Sequence, residues 1–156
     1  MVKILRLIFA IVICQAAGWI GALFTASSVK TWYRALEKPF FTPPAAVFGP
    51  VWTLLFLLMG ISLYWVWQAA AGPKKKSMIV FGFQWILNVF WSILFFGLRR
   101  PGLALLEILV LWVAILATLH AFSQVSKRAA FILIPYFLWV TFAIFLNAGI
   151  FFLNRS

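Results

Sequence analysis

The chain has 156 residues, of which 66% are hydrophobic and 10% are charged. A soluble domain averages about 45–50% apolar and about 25% charged residues, and a chain of this length has too little interior to bury the excess, so a water-soluble fold is excluded. The 13 Lys and Arg against 2 Asp and Glu give a formal net charge of +11, but the basic residues cluster at the ends of apolar runs, which is typical of lipid headgroup anchoring and argues against a nucleic-acid partner.

Five apolar runs are each long enough to cross a bilayer as a helix, which takes about 20 residues. Barrel strands need only about 9–11 residues and alternate in polarity, so the lengths predict helices. We therefore expect an all-α integral membrane protein, a single domain over residues 1–156 that forms a five-transmembrane-helix bundle. The predicted spans cover residues 4–25, 45–69, 78–98, 103–124 and 129–153.

The distribution of basic residues orients this bundle by a small margin. The N-terminus and the second and fourth loops carry seven Lys and Arg, whereas the first and third loops and the C-terminus carry six. Lys3, Arg6 and the triple lysine at 74–76 favour an N-terminus in the cytoplasm. The apolar run after Arg6 exceeds the roughly 7–15 residues of a signal-peptide core, so we interpret it as a span.

The first span carries small residues along one face. Ala10, Cys14, Gly18 and Ala22 recur at every fourth position. Close backbone approach through small side chains holds helices together in lipid, so we expect this face to pack against another helix, in the same chain or in a second copy. Cys14 is interpreted as a small core residue, and the single cysteine with the single histidine, His120, predicts no metal site.

The interval from Trp32 to Pro44 is rich in aromatic, charged and proline residues and separates two apolar runs. We interpret it as a structured lid over a pocket between helices. The alternative is an ordinary interfacial linker with a few anchoring aromatics.

The third span places polar side chains on one face. Gln84, Asn88 and Ser92 follow a four-residue spacing, and Trp91 lies beside them. Unpaired carboxamides are costly in lipid, so this face must look inward. This polar face either forms hydrogen bonds between helices or lines a binding site.

The fifth span repeats this pattern with Trp139, Ala143 and Asn147, after a kink predicted at Pro135. Ala143 leaves room between bulkier neighbours. With Trp52 of the second span, the two inward faces can enclose a pocket with apolar walls and few polar groups, which suits a flat or aromatic hydrophobic ligand.

Glu107 is one of the two acidic residues and lies about one turn inside the fourth span. An ionisable group at that depth is a functional candidate. It can equally be a neutral structural group, or pair with Arg99 or Arg100 near the membrane surface, and we favour a structural role.

Several motifs, in order along nearly the whole chain, resemble those of the TspO/MBR family. This family comprises the tryptophan-rich sensory proteins of bacteria and the mitochondrial translocator protein, formerly the peripheral benzodiazepine receptor. The first loop reads Trp-Tyr-x-x-Leu-x-Lys-Pro-x-x-x-Pro-Pro from Trp32 to Pro44. The other matching segments are Gly49-Pro-Val-Trp-Thr53 with Met59-Gly60, Gln84 to Asn88 with Trp91, Phe95-Phe-Gly97, Pro135-Tyr136 with Trp139, and Leu146-Asn147.

The resemblance implies a membrane receptor or sensor, commonly a homodimer, that regulates tetrapyrrole handling or a stress response. Its pocket, closed by the first loop, would bind porphyrins such as protoporphyrin IX, isoquinoline carboxamide and benzodiazepine-type drugs, and, as a further candidate, sterols. Porphyrin is then a ligand and no cofactor is expected. The bacterial cell membrane is favoured over the mitochondrial outer membrane. Carried over by position, the ligand-binding residues are Trp32, Tyr33, Trp52, Phe56, Asn88, Trp91, Ser92, Trp139, Ala143 and Asn147. The porphyrin carboxylates are expected to meet Lys30, Arg34 or Lys38 at the lid.

Two alternative functions stay open. Some members are reported to degrade protoporphyrin in light, with tryptophans matching Trp52 and Trp139 implicated. The sequence offers no metal cluster, nucleophile–base pair or cofactor loop, so binding is favoured over catalysis. The second alternative is a transporter of porphyrin-type or sterol-type cargo, which the absence of an evident inverted repeat disfavours. Ala148 stands where animal members have the tyrosine of a proposed cholesterol motif, which argues against sterol recognition through that motif.

Overall fold

A computed structural model describes residues 2–155, and the elements it contains are helical. Five stretches are long and apolar enough to cross a membrane, and this confirms the predicted five-helix, all-α architecture. The helices are α1 (Val2–Lys30), α2 (Trp32–Ala35), α3 (Ala45–Gln68), α4 (Lys74–Ser92), α5 (Pro101–Ser123), α6 (Lys127–Ile132) and α7 (Ile134–Leu153). A π-helical turn, Ile93–Gly97, extends α4, and α6 with α7 forms the last span.

The first helix is longer than predicted, because α1 continues to Lys30 instead of ending near residue 25. Hydroxyl side chains support the extra turns. Thr25 Oγ1 donates to the Gly21 carbonyl at 2.8 Å, and Ser28 Oγ donates to the Phe96 carbonyl at 2.7 Å. The hydropathy pattern could not show that these polar residues continue the helix, so the first loop is shorter than predicted and begins with the short helix α2.

The start of α4 and the continuity of the last span also differ from the prediction. α4 begins at Lys74, one turn before the predicted start at residue 78, so all three lysines are helical. Ser77 stabilises this extra turn, since its Oγ lies 3.0 Å from both the Pro73 and the Ala121 carbonyl oxygens. The last span is divided at Leu133, close to Pro135. Proline has no amide hydrogen to donate to the preceding turn, so a break near this residue is expected.

The small-residue face of α1 packs inside the chain, against α3 and α4. A Cβ built on Gly60 of α3 would lie 2.6 Å from the Ile11 Cα atom, and one built on Gly18 would lie 2.9 Å from the Phe56 ring. Cys14 is fully buried in this contact, as expected for a small core residue. The first of the two predicted packing modes is therefore present. Ala22, at the end of the predicted stripe, is exposed.

This packing makes a prediction about Gly60. A Gly60→Ala substitution places a methyl group against the Ile11 backbone, which cannot yield as a flexible side chain can. Overpacking of this kind costs about 1–3 kcal/mol, so we expect a lower thermal midpoint for the protein in detergent, measured by circular dichroism.

Gly82→Ala is the matched control, because Gly82 is also helical and a Cβ there has no neighbour within 4 Å. It should leave the midpoint unchanged or raise it, since alanine favours helix over glycine. Equal midpoints for the two variants would contradict tight α1–α3 packing.

Candidate ligand-binding site

A cavity of about 380 Å³ lies between α1, α3, α4 and α7 at the end of the bundle nearer the first loop. Its volume is within the range of roughly 300–1,000 Å³ that is usual for small-molecule sites. Among the described residues, those that line it include no Asp, Glu, Lys or Arg. Its polar lining side chains are the neutral groups of Gln15, Thr25, Tyr33, Thr53, Asn88, Ser92 and Asn147, in addition to the indole N–H groups. The chemistry of the walls is therefore apolar and aromatic, with a few hydrogen-bonding groups and no formal charge.

The structure brings nine of the ten predicted site residues around this one cavity. They are Tyr33, Trp52, Phe56, Asn88, Trp91, Ser92, Trp139, Ala143 and Asn147. Trp32 is not among the lining residues. Its ring packs edge-on against Phe95 at 5.8 Å between ring centres, as the Tyr33 ring also does at 6.2 Å. That the nine residues bind a ligand remains a prediction.

Aromatic contacts fix the tryptophans that face the cavity. The Trp52 ring stacks on Phe56 with 5.4 Å between centres, and the Trp91 ring stacks on Phe95 at 5.1 Å. Trp139 meets Phe48 edge-on at 5.9 Å. Rings held in this way line the cavity in a fixed orientation, so a ligand would bind without first costing them rotamer freedom.

Two hydrogen-bonded groups hold the polar side of the cavity. Asn88 Nδ2 donates to the Tyr136 hydroxyl at 3.0 Å, and that hydroxyl donates to Gln84 Oε1 at 2.9 Å. These bonds join α4 to α7, so the polar face of the third span does serve hydrogen bonding between helices. Asn88 also lines the cavity, so the binding-site interpretation is compatible with this bonding and stays a prediction.

Asn147 organises the second group. Its Oδ1 accepts from Trp91 Nε1 at 3.1 Å, and its Nδ2 donates to the Pro101 carbonyl at 2.8 Å. The carboxamide thus connects α4, the start of α5 and α7. It also fixes the orientation of the Trp91 indole beside the cavity.

The sequence reasoning missed the contribution of α1, which supplies one wall of the cavity between Gln15 and Val29. The small-residue pattern predicted only that this helix packs closely. One signal was available, because Gln15 is a carboxamide inside an apolar span. Its Nε2 donates to the Thr53 carbonyl of α3 at 3.0 Å.

The cavity is open on the side where α1 meets α3. Trp19 of α1 lines it and is 60% exposed, and on α3 Ala45, Gly49 and Thr53 line it and are also exposed. Both helices are long and apolar enough to span a membrane, so we expect this opening to face the hydrocarbon of the bilayer.

The first loop is fastened to the end of α7. The Asn154 side chain accepts from the Glu37 backbone N–H at 3.1 Å and donates to the Glu37 carbonyl at 2.9 Å. Pro39 packs so closely on Gly149 that a Cβ there would overlap the proline ring. Phe41 packs against Phe142 on the same helix. These contacts fit the structured lid and not the alternative of a simple linker.

Tyr33 is the lid residue that reaches the cavity. Burial raises the pKa of Tyr33, so its hydroxyl stays protonated and neutral at physiological pH. Lys38, a predicted partner of porphyrin carboxylates, is already engaged, because its Nζ donates to the Leu36 carbonyl at 2.9 Å and lies 4.9 Å from the Tyr33 ring centre. Lys30 and Arg34 are exposed near the lid.

Glu107 lies outside this site. It is 8% exposed and does not line the cavity, and within residues 2–155 neither of its carboxylate oxygens has a hydrogen-bond partner. The considered pairing with Arg99 or Arg100 is therefore not formed, and both arginines are exposed.

Comparisons with known proteins agree with this architecture. The family model of the TspO/MBR family matches residues 10–153. The chain belongs to the TspO/MBR family. It is 45% identical to the tryptophan-rich protein TspO of Archaeoglobus fulgidus, over 97% of this chain and 99% of that protein. It is 41% identical to the protein of the same name from Chlorobaculum tepidum, over 97% and 98%. The human translocator protein is 39% identical over 83% of this chain and 78% of its own length.

The fastening of the lid gives a prediction about Asn154. Asn154→Ala removes both bonds to Glu37, each of which contributes about 0.5–1.5 kcal/mol, so the loop should open several-fold more often. We expect faster trypsin cleavage after Arg34 in the purified protein, measured by mass spectrometry of the fragments.

Gln124→Ala is the control, since it also truncates a carboxamide but lies at the opposite end of the bundle, after α5. It should leave the cleavage rate at Arg34 unchanged. An Asn154→Ala variant that is cleaved at the rate of the unmodified protein would contradict this function of Asn154.

Proposed function

We propose that this protein is a membrane receptor or sensor that binds a flat hydrophobic ligand of the porphyrin class, with protoporphyrin IX as the test ligand, in the cavity between α1, α3, α4 and α7. The observation that carries the proposal is the composition of the cavity wall. Stacked tryptophans surround a space that contains neutral hydrogen-bonding groups, carries no formal charge and opens toward lipid.

The wall chemistry supports a ligand that partitions into membranes. A conjugated ring gains from aromatic faces that are already oriented, and carboxamides such as Asn88 can accept or donate one or two directed bonds. An anionic group would have no cation inside the cavity. The propionate groups of a porphyrin would therefore lie outside it, toward the exposed Lys30 and Arg34.

The volume supports the same placement. About 380 Å³ is near the lower end of the usual range, and a tetrapyrrole is larger than a typical drug. Part of the macrocycle would extend through the opening between α1 and α3, beside Trp19. A smaller aromatic carboxamide would fit within the walls.

The location and assembly are also proposals. We infer a prokaryotic cell membrane, which is supported by the high identity to an archaeal and a bacterial TspO protein along nearly their whole length. A homodimer is inferred from the family resemblance. Binding would then regulate tetrapyrrole handling or a stress response.

Ligand binding can be tested by titrating protoporphyrin IX into the detergent-solubilised protein and following tryptophan fluorescence. We expect saturable quenching. A Trp52→Phe/Trp139→Phe double variant should bind at least several-fold more weakly, because both indole faces at the cavity are replaced by smaller rings.

Trp65→Phe is the matched control, because Trp65 lies near the far end of α3 and does not line the cavity. It should keep the affinity of the unmodified protein. Unsaturable quenching, or the same affinity in the double variant and in the control, would contradict the proposed site.

A second candidate function is light-dependent and oxygen-dependent degradation of the porphyrin. One observation favours it, namely that Trp52 and Trp139, the two tryptophans that the resemblance implicates, both line the same cavity. A ring bound between them would have an oxidisable indole within reach.

Illumination in air distinguishes this candidate from binding alone. If the protein degrades its ligand, the Soret band of bound protoporphyrin should bleach faster than in an unrelated membrane protein at equal tryptophan content. The double variant should return bleaching to that background rate. Bleaching at the background rate in the unmodified protein would exclude degradation while leaving the binding proposal intact.

A further inference from the structure

The end of the bundle opposite the first loop carries a groove that the proposed function does not use. It is lined by Trp67 at the end of α3 and by Lys74, Lys75, Met78 and Ile79 in the first turns of α4. Its walls are mainly apolar and are formed by the side chains of two lysines, an aromatic ring and two aliphatic residues. This combination matches a molecule with an anionic head and an apolar chain.

No carboxylate neutralises the cations at this end. The whole chain has two acidic residues. Glu37 is in the first loop, at the other end of the bundle, and Glu107 is in the first turns of α5, whose last turns lie beside Ser77 of α4. The positive charge of Lys74 and Lys75 therefore has no internal counter-charge.

The position of the lysines in α4 makes this charge more costly. α4 begins with Lys74-Lys75-Lys76 and has no acidic residue in its first turn. The start of a helix carries a partial positive charge, so Lys75 and Lys76 are repelled by the helix as well as by one another, whereas Lys74 is partly compensated by the C-terminal end of α3 through its bond to the Ala69 carbonyl. Unfavourable local electrostatics of this kind are expected at functional positions, and a bound anion would offset the repulsion between these lysines.

The groove is also shaped and held by its neighbours. Lys74 Nζ donates to the Ala69 carbonyl at 2.6 Å, which places its ammonium beside Trp67 at the end of α3. From the other side, the Arg6 guanidinium lies 5.5 Å from the Trp67 ring centre, and Phe9 meets that ring edge-on at 6.0 Å. Three elements, α1, α3 and α4, thus contribute cations or apolar surface around one tryptophan.

An apolar path leads from the groove along α4. Ile79, Phe83, Ile86 and Phe90 are all exposed and recur at helical spacing, so they form one stripe on the outer face of α4. A chain bound at Met78 and Ile79 could continue along this stripe toward the middle of the bilayer.

We propose that this groove is a specific site for an anionic phospholipid, whose phosphate is bound by Lys74 and Lys75 with Arg6 nearby, and whose acyl chain lies on Met78 and Ile79. The site is separate from the cavity near the first loop and does not depend on the ligand of that cavity. If the N-terminus is cytoplasmic, the site faces the inner leaflet, where anionic lipids attract basic residues.

Native mass spectrometry of the full-length protein tests the proposal with phosphatidylglycerol and phosphatidylcholine as probes. We expect one tightly retained phosphatidylglycerol per chain, in preference to phosphatidylcholine. Lys74→Gln/Lys75→Gln should weaken this retention by roughly fivefold for each lysine. Lys127→Gln/Arg128→Gln is the matched control, because it removes the same charge from the same end but outside the groove. It should retain the lipid.

A second pair of variants tests the apolar part while keeping every charge. Ile79→Trp should obstruct the groove and lower phosphatidylglycerol retention, whereas Leu106→Trp, at an equally exposed position of α5 outside both the groove and the stripe, should leave it unchanged. Inorganic phosphate at the same concentration should not displace the lipid. Equal retention of the two lipids, an equal loss in both charge variants, or displacement by inorganic phosphate would overturn the proposal, since each would indicate general attraction to a basic surface.

Discussion

Lipid offers no hydrogen-bond partners, so polar side chains within these helices are expected to pair inside the chain, and two groups of such pairs set the arrangement of α4, α5 and α7. The Tyr136 hydroxyl connects Gln84 and Asn88 of α4 to α7. The Asn147 carboxamide connects Trp91 of α4 to α7 and to the first residue of α5. Two carboxamide-centred groups therefore fix three helices against each other, and the cavity is the space beside them.

The same bonds prepare the cavity for a ligand. A tryptophan in a loosely packed membrane bundle could adopt several rotamers, and a ligand would have to select one. Here the Trp91 indole is held by Asn147, and the Trp52 ring is held by stacking on Phe56. The contacts that stabilise the fold also orient the rings beside the cavity, so in the proposed function the same side chains would serve both structure and binding.

The fold was predictable from the sequence because apolar runs mark the helices and proline, glycine and charged residues mark their ends. The lining residues of α3, α4 and α7 followed from helical spacing and from the family resemblance. What could not be predicted depends on contacts between distant residues. The closure of the first loop involves Asn154 and Glu37, which are 117 residues apart, and no pattern in either segment indicates the other. Trp32 shares its motif with Tyr33 and both rings meet Phe95 edge-on, yet of the two only Tyr33 lines the cavity, a difference that the motif does not show. The wall formed by α1 was hidden because small residues signal close packing whether or not a cavity adjoins them.

The opening between α1 and α3, beside the exposed Trp19, affects how the fraction of ligand-filled cavities should depend on ligand and lipid concentration. A ligand that enters from hydrocarbon is sampled at its mole fraction in the bilayer and not at its concentration in water. Doubling the lipid at constant total ligand therefore dilutes a strongly partitioning ligand and empties the cavity, although the intrinsic affinity is unchanged. Two compounds that make equal contacts inside the cavity would then differ in apparent affinity according to their membrane partition coefficients. Partitioning into the bilayer would thus contribute to ligand selectivity before binding.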